Sequence, residues 1–446
     1  MMCKFMNKLS HSFGIYGFHF LNVTAVFSGS LIAKESPVDV QKNLYSPYVQ
    51  QIYPTSFYWG DTHLHTSLSF DAISIGGNRK LGPDEAYRFA SGHEVTTHKG
   101  MKVTLRRPLD FLVAADHGMN LGLLSDLDVA NPMLLKTNKG RKLFEQLQVA
   151  RAGSDDKKPF PESMFNRLFA SIDFKNVSYQ QSVWDRVIKN AERYNDPGRF
   201  TTFIGYEWTA SYENRVGAHL HRVVIFRDGA QKTEQVLPFT KFDSQKPEDL
   251  WSYMEAYQAK TGGDVLAIPH NGNLSNGQLF ALKDSSNNPL SVTYAKQRSR
   301  WEPLFEVTQV KGDSETHPLL SPTDEFADYE TWSGAKYSEY YGEAGGSMRP
   351  YEYARSALKL GLQKKAELGV NPFKFGMIGS TDSHTSLATA DNDNFWGKNV
   401  VNGPEYPRRM LDPRYPVSLG LKDIEPGWRL NAAGYAAVWA TENTRE

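Results

Sequence analysis

Apolar runs typical of strands alternate along this chain with runs typical of helices. The predicted strands are residues 56–60, 109–115, 201–206, 220–226, 264–269, 304–310, 374–379 and 434–440. The predicted helices are residues 84–91, 179–194, 247–261 and 351–368. Such alternation predicts parallel strands joined by helical crossovers, and therefore an α/β barrel or an open α/β sheet.

Length and composition narrow the class of protein further. The chain has 446 residues, more than most single domains contain unless the domain is a barrel with insertions. Its 50 basic and 50 acidic residues balance, which argues against nucleic acid as a partner, because nucleic-acid surfaces carry clustered Lys and Arg. Cys3 is the only cysteine, so a metal ion here would need nitrogen and oxygen ligands.

The N-terminal residues 1–33 have the pattern of a signal peptide. Lys4 and Lys8 precede a mostly apolar stretch, residues 13–27, and small residues follow it. This pattern predicts a periplasmic or secreted protein, whereas a disordered leader in the same place would leave the protein in the cytoplasm. No later run has the roughly 18 apolar residues of a membrane helix, so we expect no integral membrane segment in the mature chain.

Residues 34–446 are expected to form one domain with two irregular insertions. The first insertion covers about residues 120–178 and the second about residues 312–348, both polar and without clear periodicity. Residues 441–446 have a helix-start pattern at the very end of the chain. We therefore expect a domain that is truncated and lacks its C-terminal elements.

Metal-binding residue types stand where the predicted strands end. His63 and His65 follow the first strand, and their spacing places both rings on one face because side chains alternate along a strand. The full set of candidate ligands is His63, His65, Asp71, His117, Glu207, His221, His270, Asp382 and His384. In an α/β barrel these strand ends converge on one face, so the set predicts a metal centre.

Each candidate ligand also has a simpler interpretation. A lone histidine at a strand end often makes only a hydrogen bond, and an aspartate there often caps a helix. These interpretations would all have to hold at five separate strand ends, so metal binding is preferred. His219 and His221 form a second closely spaced pair, of which His221 is the favoured ligand.

Several motifs give the chain a resemblance to a known family. The run from His63 to Asp71 resembles the opening motif of the PHP (polymerase and histidinol phosphatase) superfamily. Asp116-His117, Glu207, His270 and residues 382–384 resemble its later motifs in the same order. Within that superfamily, residues 58–63, 83–90, 314–318 and 371–376 look like the DUF3604 family, and the resemblance covers residues 55–446.

The resemblance implies a fold and a set of cofactors. The fold would be a distorted (β/α)7 PHP-type barrel with loop insertions, and DUF3604 members usually continue past the end of this chain. The cofactors would be two or three divalent metal ions, for which nitrogen and oxygen ligands suit Mn, Zn or Fe. The first ion would be held by His63, His65, Glu207 and Asp382, the second by Glu207, His221 and His270, and the third by Asp71, His117 and His384.

A centre of this kind suits hydrolysis of a small phosphate mono- or diester through a metal-activated hydroxide. Glu207 would bridge two ions. Lys311 and His317 are candidates to act at the ester or its leaving group, although His317 could instead belong to a loop hydrogen bond. Arg79 and Arg349 are candidate anion-binding residues, and solvated loop arginines are the alternative.

Two other functions stay open at this point. The same centre could act on a small sulfate or phosphonate ester, because these groups have similar geometry and charge. A non-catalytic metal-binding module is the third possibility, given the expected truncation. The completeness of the ligand set favours an enzyme, and the sequence does not predict the oligomeric state.

Overall fold

The computed structural model describes residues 54–152, 172–211, 219–331, 349–407 and 434–446. All of them belong to one compact unit, residues 53–446. The predicted signal peptide, residues 1–33, lies outside the described residues and stays a prediction. Across the described ranges, no helix combines the length and the apolar character needed to cross a membrane.

Strands form a curled sheet that resembles half of a barrel. The strands are β1 (Ser56–Leu64), β2 (Val95–Thr96), β3 (Lys102–Val103), β4 (Phe111–Ala114), β5 (Thr201–Trp208), β6 (Arg222–Phe226), β7 (Val265–Pro269), β8 (Leu304–Gln309), β9 (Gly312–Asp313), β10 (Gly376–Gly379) and β11 (Ala436–Ala440). Six of them form one sheet in the order β11-β1-β4-β5-β6-β7, and a second sheet has the order β10-β8-β9.

Pairing in the large sheet is mixed, which corrects the all-parallel prediction. β1 pairs parallel with β4, and β4 pairs parallel with β5. However, β6 is antiparallel to both β5 and β7, and β11 is antiparallel to β1. The reversal at β6 has a physical reason, because residues 209–221 carry no predicted helix, and strands joined without a helical crossover pair antiparallel.

Helices connect many of the strands in the described ranges. They are α1 (Phe70–Ser74), α2 (Pro83–Ala90), α3 (Leu123–Asp128), α4 (Pro132–Leu135), α5 (Asn138–Ala152), α6 (Val177–Tyr194), α7 (Ala230–Thr233), α8 (Pro247–Thr261), α9 (Val292–Trp301) and α10 (Ala354–Leu368). The four predicted helices appear as α2, α6, α8 and α10. Gly262 and Gly369 end α8 and α10 in the left-handed conformation that glycine adopts without strain.

Two local predictions are wrong: the irregular structure of the first insertion and the helix at residues 441–446. The first predicted insertion contains three helices, α3, α4 and α5, because buried Leu143 and Leu147 sit one helical turn apart among charged residues. Residues 441–446 form bends and no helix. The Asn443 amide instead donates to the carbonyls of Asp110 and Arg199, which ties the chain end to the start of β5.

The edges of the two sheets approach each other near the ends of β1 and β10. Leu64 at the end of β1 forms a parallel bridge with Ser383, four residues after β10. The backbone N–H of Asp382 also donates to the carbonyl of His63 over 2.7 Å. The ends of β1, β4, β5, β7, β8 and β10 therefore surround one region of the molecule.

Candidate metal centre

The candidate ligands share one face of the sheet with a small apolar cluster. That cluster consists of Val113, Ala115, Val223, Ile225 and Ile268. Side chains alternate along a strand, so His117 falls on the face of Ala115, His221 on that of Val223, and His270 on that of Ile268. Alternation along β4, β6 and β7 thus explains why His117, His221 and His270 lie on the same face as this apolar cluster.

His63 and His65 direct two ring nitrogens toward the same point. His63 Nδ1 lies 3.0 Å from Glu306 Oε2, so this nitrogen donates its proton to the carboxylate. His65 Nδ1 lies 2.7 Å from Ser69 Oγ, whose own hydroxyl donates to Asp116 Oδ1 over 2.8 Å. His65 Nδ1 is therefore also a donor. Both Nε2 atoms are left with lone pairs, 3.0 Å apart, and a cation between them removes the repulsion.

Two carboxylate oxygens complete a shell around that point. Asp382 Oδ1 lies 3.5 Å from His63 Nε2 and 3.2 Å from His65 Nε2. Glu207 Oε2 lies 3.8 Å and 3.4 Å from the same two nitrogens. Tetrahedral ligands about 2.0–2.2 Å from an ion are about 3.3–3.6 Å from one another. The observed spacings run from 3.0 to 3.8 Å around that range, and His63, His65 and Asp382 form a group that could hold a metal ion, with Glu207 beside it.

Glu207 connects this shell to a second group of ligands. Its Oε1 lies 2.6 Å from His221 Nδ1 and 3.2 Å from His270 Nε2. Its Oε2 lies 2.7 Å from His117 Nδ1. One carboxylate thus faces ligands on both sides, as expected for a bridging residue. His219 stacks on His221 with ring centroids 4.4 Å apart and does not enter the group.

A third group surrounds Asp71, which lies in α1. Asp71 Oδ2 is 3.1 Å from His117 Nε2 and 2.8 Å from His384 Nε2. The structure thus brings all nine predicted ligands together. Their potential ligand atoms form groups within 4.8 Å that could hold metal ions: His63, His65 and Asp382; Glu207, His221 and His270; His65, Asp71, His117 and His384; and His63, His270 and Glu306.

At the centre, burial and the neighbouring histidines have opposite effects on the pKa values of the carboxylates. Burial disfavours ionisation of Glu207, but His117 and His221 beside it hold its pKa well below the usual range. Asp71 follows the same pattern, with His117 and His384 as the neighbours that lower its pKa. Both carboxylates are therefore ionised and ready to bind a cation at neutral pH.

Sequence reasoning missed two charged residues of the centre. Glu306 lies in β8, two residues after Leu304, and an acid inside an apolar strand was the available signal. Lys398 lies in a loop without a strand pattern. Its Nζ is 2.9 Å from Asp382 Oδ1 and 2.9 Å from His384 Nδ1, whereas the predicted Lys311 pairs with Asp382 Oδ2.

The remaining residues singled out in the sequence are His317, Arg349, Arg79 and Asp116, and they differ in burial and in contacts. His317 is buried in the loop after β9, and burial, together with the charge of half-buried Arg349, lowers the pKa of His317 to about 4. Arg79 is exposed, and within the described part of the chain the structure gives it no contact with the ligands. Asp116 precedes no helix; it accepts from Ser69 and thereby positions His65.

Comparisons with known proteins place the chain in a family. The family described as "Protein of unknown function (DUF3604)" matches residues 53–446. A search of curated proteins found no match. Among solved structures, the crystal structure of PsfC from Pseudomonas syringae PB-5123 aligns with 75% of this chain and 80% of its own, at 11% identity and a TM-score of 0.26. The family match covers most of the chain, and this protein therefore belongs to the DUF3604 family.

Proposed function

We propose that this protein is a metal-dependent hydrolase of a small phosphate mono- or diester. The observation that carries the proposal is the convergence of His63 Nε2 and His65 Nε2 with two carboxylate oxygens on one point. We also propose that the curled mixed sheet belongs to a distorted (β/α)7 PHP-type barrel with loop insertions. The signal-peptide pattern supports a periplasmic or secreted location.

The nine ligands divide into three groups that would each hold one ion. His63, His65, Glu207 and Asp382 would hold the first; Glu207, His221 and His270 the second; and Asp71, His117 and His384 the third. Divalent Mn, Zn or Fe would supply a hydroxide at neutral pH and neutralise charge on the ester oxygens.

Two buried lysines give the centre its own cationic groups. Lys311 and Lys398 contact the two oxygens of Asp382 from separate loops. Burial holds the pKa of Lys311 well below 10.5 and lowers that of Lys398 to about 8. We assign both side chains to the oxygens of the ester, where Lys398 would bind negative charge and Lys311, in its protonated form, would pass a proton to the leaving oxygen.

An assay on three esters tests the proposal. The metal-stripped protein is reloaded with Mn, Zn or Fe and offered nitrophenyl phosphate, bis-nitrophenyl phosphate and nitrophenyl sulfate. We expect metal-dependent turnover of a phosphate ester that Glu207→Ala abolishes and that Glu145→Ala, an exposed glutamate on α5, retains. Binding of metal without turnover would favour a non-catalytic module, and turnover of the sulfate alone would favour a sulfatase; either result overturns the proposal.

A further inference from the structure

The side-chain amide of Asn271, the residue after the candidate ligand His270, has its hydrogen-bonding capacity unused. It directly follows His270, is 1% exposed and has a positive φ of 55°. Its Oδ1 and Nδ2 atoms are both buried and lack a hydrogen-bond partner among the described residues. An amide in such a position normally meets a ligand or an ordered water.

His317 presents a second unpartnered polar atom. The backbone N–H of Leu319 donates to His317 Nδ1 over 3.1 Å, so the neutral ring carries its proton on Nε2. The residue is 5% exposed, and Nε2 has no hydrogen-bond partner within the described ranges. His317 thus offers one buried N–H donor.

Direct contacts join the loops that carry these two residues. Asn273 Nδ2 donates to the carbonyl of Lys311 over 3.1 Å, and Ser314 Oγ donates to Asn273 Oδ1 over 2.8 Å. The loop after β7 therefore packs on the turn between β8 and β9, which carries Lys311, and on the loop after β9, which begins at Ser314. These segments reach the centre at His270 and at Lys311, whose Nζ pairs with Asp382.

A third loop borders the same region and adds a carboxyl group. A side chain at Gly272 would overlap the carbonyl oxygen of Glu352, so the backbones are in close contact. Glu352 Oε1 accepts from the backbone N–H of Gly277 over 3.1 Å, and the rings of Tyr353 and His317 are 5.6 Å apart. Glu352 is 3% exposed.

We propose that Asn271 and His317 form a subsite for a hydroxyl-bearing organic group of the substrate. The inference rests on the proposed function, because the ester itself would occupy the metal centre next to these loops. Phosphate oxygens only accept hydrogen bonds from donors such as His317 Nε2, and they would leave Asn271 Oδ1 unpaired. Hydroxyl groups donate and accept, so a polyol or sugar moiety satisfies both residues.

A matched pair of esters tests the subsite. Glycerol 3-phosphate and n-propyl phosphate differ only in two hydroxyl groups. For the wild-type, metal-loaded protein we expect kcat/KM to be about 100-fold higher for the glycerol ester, because a site built for hydroxyls rejects analogues without them. Calorimetric titration of both esters measures the same preference without turnover. Binding preference without cleavage would contradict the hydrolase and support the subsite.

Substitutions attribute that preference to the two residues. Asn271→Gly removes the amide while keeping a residue that adopts positive φ freely, so the loop should stay folded. We expect it and His317→Leu each to lower the preference at least about tenfold with unchanged metal content, and His317→Gln, which keeps an N–H donor, to restore part of it. His93→Leu, an exposed control, should behave as wild type. Equal use of both esters by the wild type, or an unchanged preference in Asn271→Gly, would mean that only water meets these atoms and would overturn the inference.

Discussion

Ser69 shows how a single hydroxyl fixes the protonation of His65, a candidate metal ligand. Its Oγ lies 2.7 Å from His65 Nδ1 and donates to Asp116 Oδ1, and it also accepts from the backbone N–H of His117 over 3.1 Å. These contacts fix which nitrogen of His65 carries the proton. Partners of this kind orient metal ligands and raise their basicity.

Replacement of Ser69 by alanine should therefore weaken metal binding without removing a ligand. We expect Ser69→Ala to raise the dissociation constant for metal about 10–100-fold, because the His65 N–H loses its acceptor. Titration against a chelating dye measures the change. Ser252→Ala, which removes a hydroxyl from α8 far along the chain, serves as the control. An unchanged dissociation constant in Ser69→Ala would show that Ser69 does not position His65.

Glu352 should make stability depend on pH. Burial raises its pKa to about 7, from an ordinary value of 4.5. The folded state then binds the proton more tightly than the unfolded state, so its contribution to the free energy of unfolding falls as pH rises from about 4.5 to 7. The fall amounts to about 3 kcal/mol, an order-of-magnitude figure.

Glu352→Gln isolates this effect. Glutamine keeps an oxygen for the Gly277 N–H and has no charge, so we expect the variant to gain stability relative to wild type between pH 4.5 and pH 8. Urea unfolding of metal-free protein at the two pH values measures the difference. Glu145→Gln is the control. A constant difference between Glu352→Gln and wild type would contradict a raised pKa.

Most candidate ligands were predictable from sequence because they stand at the ends of apolar strands, whereas Asp71 lies in α1. His63, His117 and His270 carry that signal, and the structure places all three in the centre. Lys398 carried no such signal, because a loop lysine has no periodic context. Asn271 also carried no sequence signal, because the lack of a partner for its amide depends on the positions of the surrounding loops.

At the scale of elements, the close approach of β1 and β4 positions the strand that carries His63. Gly60 lies opposite Phe111 in this parallel pair, and a Cβ at Gly60 would overlap the carbonyl oxygen and the ring of Phe111. β1 continues from Gly60 to His63. The spacing between β1 and β4 therefore depends on glycine having no side chain at residue 60.

Gly60→Ala should push the two strands apart. Forced overlap in a packed sheet costs about 1–3 kcal/mol, and we expect a loss of this size in the free energy of unfolding by urea. Gly82→Ala is the matched control, because its added Cβ would meet only ordinary contacts, 3.5 Å and 3.6 Å away. Equal stabilities of the two variants would show that β1 and β4 tolerate a wider spacing.

Elements with a clear apolar period were predicted well, and those that depend on tertiary contacts were not. α8 was predicted with its observed bounds, Pro247–Thr261, because a proline starts it and Gly262 ends it. α5 was missed because charged residues outnumber its buried leucines. The direction of β6 was missed because apolar periodicity reports burial and carries no information about strand direction.

For the whole molecule, the net charge is zero, yet many ionisable side chains are concentrated at the candidate metal centre. Glu207 lies close to His65, and Glu306 lies close to His63. Lys311 and Lys398 both contact Asp382. Several strands and loops from distant parts of the sequence supply these groups. Bound ions would therefore hold the ends of these strands together as well as provide the chemistry.

Metal stoichiometry is the most direct test of the central claim that His63, His65, Glu207 and Asp382 surround one ion. Wild type, His65→Ala and His93→Ala are loaded with Mn or Zn, dialysed and measured by inductively coupled plasma mass spectrometry. We expect two or three ions per chain in wild type and in His93→Ala, which changes an exposed histidine, and at least one ion fewer in His65→Ala. Less than one ion per wild-type chain, or the same content in His65→Ala as in wild type, would contradict the claim.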